Sequence, residues 1–239
     1  MRTILLASAF AALAACGAPN ASETLSETSN ASNDAHVDPS IDTAINEFRT
    51  TSMIDFATAA KTKKSGVPAD DYGRPLSYRG LDAKIPDFTA SMYGGGEASQ
   101  ETLAGKWTVV KFWGMWCGDC VKDAPYVAAL TDALESDPGT NFLSIHTPPS
   151  AARMDEAMGK WGSLETYFAD KGLSYPVAMD PDASLRDAFL IDWTPTYLLI
   201  GPDLTTHAFR TDLNVGSTDG IMDVVQQIAD IRAAIETVN

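Results

Sequence analysis

The sequence predicts an α/β domain built on a central sheet, spanning residues 81–239. Three observations carry this expectation. From Leu81 onward, short apolar runs alternate with stretches of helical spacing, as strands do when interleaved with helices. Residues 107–113 (WTVVKFW) are apolar almost without interruption, which marks a buried strand. The chain is 45% apolar over 239 residues, enough to bury a real core.

The elements follow in chain order. Ile85-Pro-Asp-Phe-Thr opens a strand that the glycine run from Gly94 closes. After the strand at 107–113, helical spacing runs from Cys117 through Leu134, and Asp137-Pro-Gly ends that helix. Residues 141–146 read as a strand, and 150–172 as helical with a break near Gly159–Gly162. A short strand at 175–179 precedes a short helix at 184–189. Residues 196–200 and 207–210 read as paired strands joined by the Gly201-Pro-Asp turn. Thr218 is expected to cap a last helix whose Ile221, Val224, Val225, Ile228, Ile231 and Ile235 share one face.

Upstream of this domain the composition changes twice. Arg2 and the apolar run over 4–15 read as a secretory signal, since twelve residues are too few for a span of about 20. Residues 16–40 are rich in Ala, Ser, Asn and acids and lack aromatics, so they cannot offset their ordering entropy. They are expected to be a flexible tether with a root-mean-square span of roughly 25–30 Å. Within 41–80, Ile41, Ala44, Ile45, Phe48, Ile54 and Phe56 recur near helical spacing. That predicts a helical extension over about 40–62, followed by a loop rich in Gly, Pro and Asp.

Charge narrows the function. Seventeen basic side chains against 32 acidic ones give a net charge of −15. Such a surface repels phosphates and disfavours nucleic acid as a partner, and it lacks a polybasic membrane patch. Three cysteines are too few for a disulfide scaffold. Cys16 stands alone, whereas Cys117 and Cys120 form one Cys-x-x-Cys at the predicted strand–helix junction. There the first cysteine meets the unsatisfied N–H groups and the positive end of the helix dipole, which favour a thiolate. The second lies one turn along, in reach of a mixed disulfide on the first. Trp116 helps shield the pair. No cofactor or metal is called for.

Two resemblances follow. Leu13-Ala-Ala-Cys16-Gly17 resembles a bacterial lipobox, which implies lipidation of Cys16 after removal of residues 1–15. Lys111-Phe-Trp-Gly-Met-Trp-Cys-Gly-Asp-Cys120 resembles the active-site strand and helix of thioredoxin-like thiol–disulfide oxidoreductases, closest to the membrane-tethered branch with the cytochrome c maturation reductases. Ile85-Pro-Asp-Phe, Pro125, Asp180 before a short helix, and Trp193-Thr-Pro-Thr196 belong to the same resemblance. It implies a thioredoxin-like fold and an envelope location. It also implies that Cys117 is the nucleophile and Cys120 the resolving thiol, with a cis Pro195. Trp116, Gly118, Thr194 and Pro195 would form the docking surface for client proteins, and a transmembrane thiol-reducing protein would be the partner. Asp123, three residues after Cys120, takes the place of an acid that assists proton transfer in that branch. The other reading of Asp123 is a solvated acid paired with Lys122.

Two departures leave questions. Asp119 stands where the family usually has proline, and it disfavours the Cys117 thiolate unless it points into solvent. Lys111, six residues before Cys117, either faces the cysteines or is an edge charge. A copper chaperone of the same fold is the first alternative, with His207 as the distant ligand. Its family, however, spaces the cysteines by three residues and places the histidine before the turn. A peroxiredoxin-like peroxidase is the second, but Trp113-Gly-Met-Trp occupies the positions of its peroxide-binding residues. A non-catalytic module would call for buried or absent cysteines. His36, His146 and His207 are expected to be ordinary solvent or strand residues.

Overall fold

The computed structural model describes residues 47–50, 60–61, 66–70 and 72–238. The expected signal peptide, Cys16 and the tether lie outside the described residues. Two small antiparallel pairs come first: β1 (Ala60–Lys61) with β2 (Pro68–Ala69), and β3 (Thr89–Ser91) with β4 (Glu97–Ser99). One turn of helix, α1 (Gln100–Leu103), leads into β5 (Trp107–Trp113). Then follow α2 (Gly118–Lys122), α3 (Ala124–Glu135), β6 (Thr140–His146), α4 (Leu164–Lys171) and β7 (Val177–Met179). The chain continues through α5 (Ser184–Ala188), β8 (Thr196–Ile200), β9 (Thr206–Arg210) and α6 (Ile221–Glu236).

The five main strands form a mixed sheet in the order β7-β6-β5-β8-β9. β5, β6 and β7 run parallel, and β8 is antiparallel to both β5 and β9. The expected α/β fold with a thioredoxin-like central mixed sheet is therefore present. Its centre is β5, every residue of which is buried. Trp107, Val109 and Trp113 pack on one face with Cys117, Cys120, Val127, Val224 and Ile228. Val110 and Phe112 pack on the other with Phe88, Phe189, Ile191 and Leu198. Burial on both faces explains the unbroken apolar run. Lys111 is its one charged residue, and it too is fully buried.

Three expectations are corrected. The first strand begins at Thr89, because Ile85 and Phe88 serve as core anchors of the second face instead. The helix after Cys117 is two segments meeting at Asp123. Pro125 lies in the first turn of α3, has no N–H to donate back to Val121, and so interrupts the ladder. Ser217, not Thr218, is the extended residue before the last helical segment, which starts as a 3-10 turn over Thr218–Gly220.

Most of the helix expected over about 40–62 lies outside the described residues; the residues described there, 47–50 and 60–61, are not helical. Arg49 instead pairs with Phe209 on β9, N–H to carbonyl in both directions at 2.9 and 3.1 Å. Its guanidinium lies 4.2 Å from the centroid of the Phe209 ring. β9 is the edge of the sheet, and its unpaired backbone groups compete for this segment.

The loop that carries Trp116 (residues 114–117) is held from the α5 side. Asp180, buried after β7, accepts the Leu185 and Arg186 N–H groups at 3.1 and 3.0 Å. Arg186 in turn donates to the carbonyls of Pro148 and Ile191 and lies 5.7 Å from the Trp116 ring. Asp180→Ala strands two buried donors and is expected to cost about 2–3 kcal/mol. A lowered urea midpoint checks this, and an unchanged midpoint contradicts it.

Candidate active site

The site forms where the chain leaves β5. Gly114, Met115 and Trp116 turn the backbone so that Cys117 becomes the N-cap residue of α2. Gly114 has a steric reason to be glycine: a Cβ there would sit 2.1 Å from Trp116 Nε1 and 2.8 Å from the Thr147 carbonyl. That space lets the Trp116 indole N–H reach the Thr147 carbonyl at 2.8 Å. The Met115 N–H donates to His146 Nε2 at 3.3 Å. Burial pushes His146 down to about 4, which keeps that nitrogen an acceptor near neutrality. His146 is thus a support of the loop rather than an ordinary strand residue.

Cys117 and Cys120 are both thiols. Cys117 Sγ accepts the Cys120 N–H at 3.3 Å and lies 3.2 Å from the Thr194 carbonyl, to which its thiol donates. The Thr194–Pro195 bond is cis, as the resemblance implied. The two sulfurs differ in acidity. Hydrogen bonds from Cys120, thiol first and then backbone, bring Cys117 down to about 7 against the opposing effect of burial. Burial pushes the fully enclosed Cys120 well above the ordinary thiol range. The first sulfur is therefore the one poised to ionise near pH 7.

The acids sort by position. Asp119 is exposed and ion-pairs with Lys122 at 3.1 Å, so it points into solvent and acts only weakly on Cys117. Because Lys122 is taken up there, Asp123 is not its partner. Asp123 is buried at the α2–α3 break, where its Oδ2 accepts the Tyr197 hydroxyl at 2.9 Å and the Leu213 N–H at 3.1 Å. Burial pushes its carboxyl up to about 6, with the charge of Lys111 pulling the other way. Lys111 faces the cysteine side of the sheet. Its Nζ is enclosed, has no hydrogen-bond partner, and lies over the rings of Trp113, Tyr175 and Tyr197 at 4.8, 5.4 and 5.8 Å.

Gly118 opens onto free surface, since a Cβ there would meet nothing within 4 Å. It lines a cleft of about 610 Å³ together with Trp116 and Trp161. Another cleft, of about 440 Å³, is lined by Tyr72, Arg74, Asp123, Trp193, Pro195 and Asp212 among others. Sequence reading missed Tyr72 and Arg74. Asp70 holds them by accepting the Tyr72 and Arg74 N–H groups and the Arg74 Nε, and Arg74 reaches on to Asp212 at 3.3 Å. Nothing in a Gly- and Asp-rich loop announces that role. Trp193 was within reach as the first residue of Trp-Thr-Pro-Thr. His207 packs on Trp107 and lies 3.6 Å from Asp203. Among the described residues no group of three His, Cys, Asp or Glu side chains is arranged to hold a metal ion.

Two outcomes follow. Alkylation of the reduced protein by iodoacetamide is expected to follow one ionisation near pH 7, from Cys117, with Cys120 silent below about pH 9. A profile with its midpoint above pH 8.5 contradicts this. Asp123 binds its proton more tightly folded than unfolded, since its pKa is about 6 against an ordinary 3.8. That contribution to stability is complete below about pH 4 and is lost as pH rises through 6. Asp123→Asn keeps an acceptor for Tyr197 and Leu213, and should gain up to about 3 kcal/mol over wild type between pH 4 and pH 8. Denaturant midpoints at the two pH values check it, and an equal difference at both contradicts it.

Comparison with known proteins agrees with this architecture. Residues 81–203 match the family model Redoxin. Thiol-disulfide oxidoreductase ResA of Bacillus subtilis (strain 168) is 28% identical over 131 residues, covering 55% of this chain and 66% of that protein. Thiol-disulfide oxidoreductase YkuV of the same organism is 29% identical over 103 residues, 43% of this chain and 65% of its own. The chain thus spans just under two thirds of these curated relatives. A putative thiol:disulfide interchange protein DsbE from Chlorobium tepidum has a similar structure, with a TM-score of 0.49 at 20% identity over 62% of this chain and 94% of that one. The match over residues 81–203, which contain the thiol pair, the cis proline and the strands that present them, means that the chain belongs to the Redoxin family.

Proposed function

We propose that this protein is a thiol–disulfide oxidoreductase that acts as a reductase of client proteins in the cell envelope. One observation carries the reading: two thiols one helical turn apart, one brought to about 7 beside the cis proline and the other enclosed and hard to ionise. The names of the relatives ResA and YkuV support the same activity. In this reading Cys117 thiolate attacks one sulfur of a client disulfide, and the second client sulfur leaves with the electron pair. Cys120, deprotonated by Asp123, then attacks Cys117, forms the Cys117–Cys120 disulfide and expels the first client sulfur as a thiolate. The client gains two electrons and the pair loses them.

Trp116, Gly118, Thr194 and Pro195 are the docking surface in this reading, and the Thr194 carbonyl already meets the Cys117 sulfur. The oxidised pair is recharged by a transmembrane thiol-reducing partner. The domain plan extends the proposal. Residues 1–15 are a signal, Cys16 carries the lipid, 16–40 are the tether, 41–80 the extension and 81–239 the catalytic domain. Anchoring raises the effective concentration of the domain at its partner. Among the described residues no helix is long and apolar enough to cross a membrane. The resemblance to cytochrome c maturation reductases makes a haem-accepting thiol pair the client class to test first.

Cys120→Ser is expected to accumulate a mixed disulfide through Cys117, and Cys117→Ser to lose insulin reduction by at least a hundredfold. Full activity in Cys117→Ser would overturn the nucleophile. Intact-mass measurement on the mature chain is expected to show diacylglycerol on Cys16, and an unmodified thiol there would remove the anchor.

A further inference from the structure

Lys111 is a buried charge that the disulfide exchange leaves unused. Lys111 has no exposure, and its Nζ has no hydrogen-bond acceptor. An isolated buried ammonium is costly unless something compensates it. Three ring faces do part of this. The rest comes from placement. Lys111 pairs with Tyr197 across β5 and β8, and the Tyr197 hydroxyl donates to Asp123. Cys120 shares a core cluster with Trp113 and Tyr197, two of the rings that surround the Lys111 ammonium. The cation, the carboxylate and the resolving thiol therefore lie on one side of the sheet, with the carboxylate also lining the open cleft.

We infer that Lys111 is a positioning residue for the resolving half-reaction, one buried cation that serves in turn as counter-charge to the Asp123 carboxylate and to the Cys120 thiolate. The inference rests on the oxidoreductase reading. Before resolution, Cys117 is bonded to a client sulfur, Asp123 is ionised and Cys120 carries its proton. That proton passes to Asp123. The Cys120 thiolate then bonds to Cys117 sulfur, and the client sulfur departs with the electron pair of the broken S–S bond. One anion and one cation are buried before and after the proton transfer, so no net charge is created in the low-dielectric interior. Without Lys111, either anion loses one of its counter-charges.

Other ionisable groups surround these three. His146 on β6 is neutral near pH 7, and burial keeps Tyr175 and Tyr197 protonated. Arg210 on β9, also fully buried, pairs with Tyr197 on β8 and faces Asp123 from the far side; its Nε is engaged by the Asp212 carbonyl and its two terminal nitrogens have no partner. Arg186 on α5 faces Cys120 and Cys117 but is held by the Pro148 and Ile191 carbonyls, burial keeps Tyr167 protonated, and Asp212 and Cys117 also face the group.

Lys111→Met fills the same volume without the charge, and replacing a buried charge by a well-packed apolar group commonly preserves folding. The test follows the Asp123 carboxyl by carbon NMR, and the release of 2-nitro-5-thiobenzoate from its mixed disulfide with Cys117. In Lys111→Met the Asp123 midpoint is expected to rise by at least one pH unit. Release at pH 7 should slow at least tenfold, with its pH profile moved upward. Lys111→Arg should return the Asp123 midpoint toward wild type. An unchanged midpoint and profile in Lys111→Met would overturn the inference. Should that variant not fold, the Lys111 amine is titrated in Asp123→Asn. By reciprocity its pKa must fall, and no fall overturns the inference equally. A wild-type protein that releases no thiobenzoate would refute the oxidoreductase reading, while the Asp123 midpoints would still report on the coupling.

Discussion

The antiparallel pairing of β5 with β8 is the constraint on which the site depends. It places Phe112 opposite Thr196, so the C-terminal end of one strand lies beside the N-terminal end of the other. The loop that leaves β5 carries Cys117, and the loop that enters β8 carries Thr194 and Pro195. They must therefore meet at the same edge of the sheet, and the 3.2 Å contact from Cys117 sulfur to the Thr194 carbonyl is the result. A one-residue slip would turn every side chain of β5 to the opposite face. Burial on both faces fixes the register, because neither core can exchange its Trp and Val residues for the other's.

The same strand supplies the electrostatics. Lys111 lies between Val109 and Trp113 on the face that carries the cysteines, where water cannot screen it. Asp123 arrives from the opposite direction, through the helix break that Pro125 imposes. Their mutual attraction partly offsets the desolvation that raises the acid and lowers the base. The surface pair Asp119–Lys122 sits a few residues away with the same charges and little consequence. Burial is what separates the two pairs.

Local chemistry was legible in the sequence wherever it depended on neighbours along the chain. Trp-Cys-Gly-Asp-Cys, the strand before it and Thr-Pro before β8 each declare themselves within a few residues. What depended on distant packing did not. Alternation along a strand tells that Lys111 shares a face with Trp113, but not that α2 and its cysteines cover that face. Asp123 reads equally well as a solvated helix acid until Pro125 breaks the helix and Tyr197 approaches from β8. Phe48 and its neighbours have helical spacing, yet the open edge of β9 claims Arg49, and the loop beyond it brings Tyr72 and Arg74 to the cleft. Edge pairing of this kind has no local sequence signal.

The direction of electron flow has the widest consequences for the function. A Cys117 thiol near 7 matches thioredoxin's, whereas DsbA holds its own near about 3.5, and this supports the reductase proposed above. Equilibration of the Cys117–Cys120 pair against a thiol–disulfide buffer of known potential tests this directly. A reductase gives a value near thioredoxin's, about −270 mV, and a value near about −120 mV would contradict that reading.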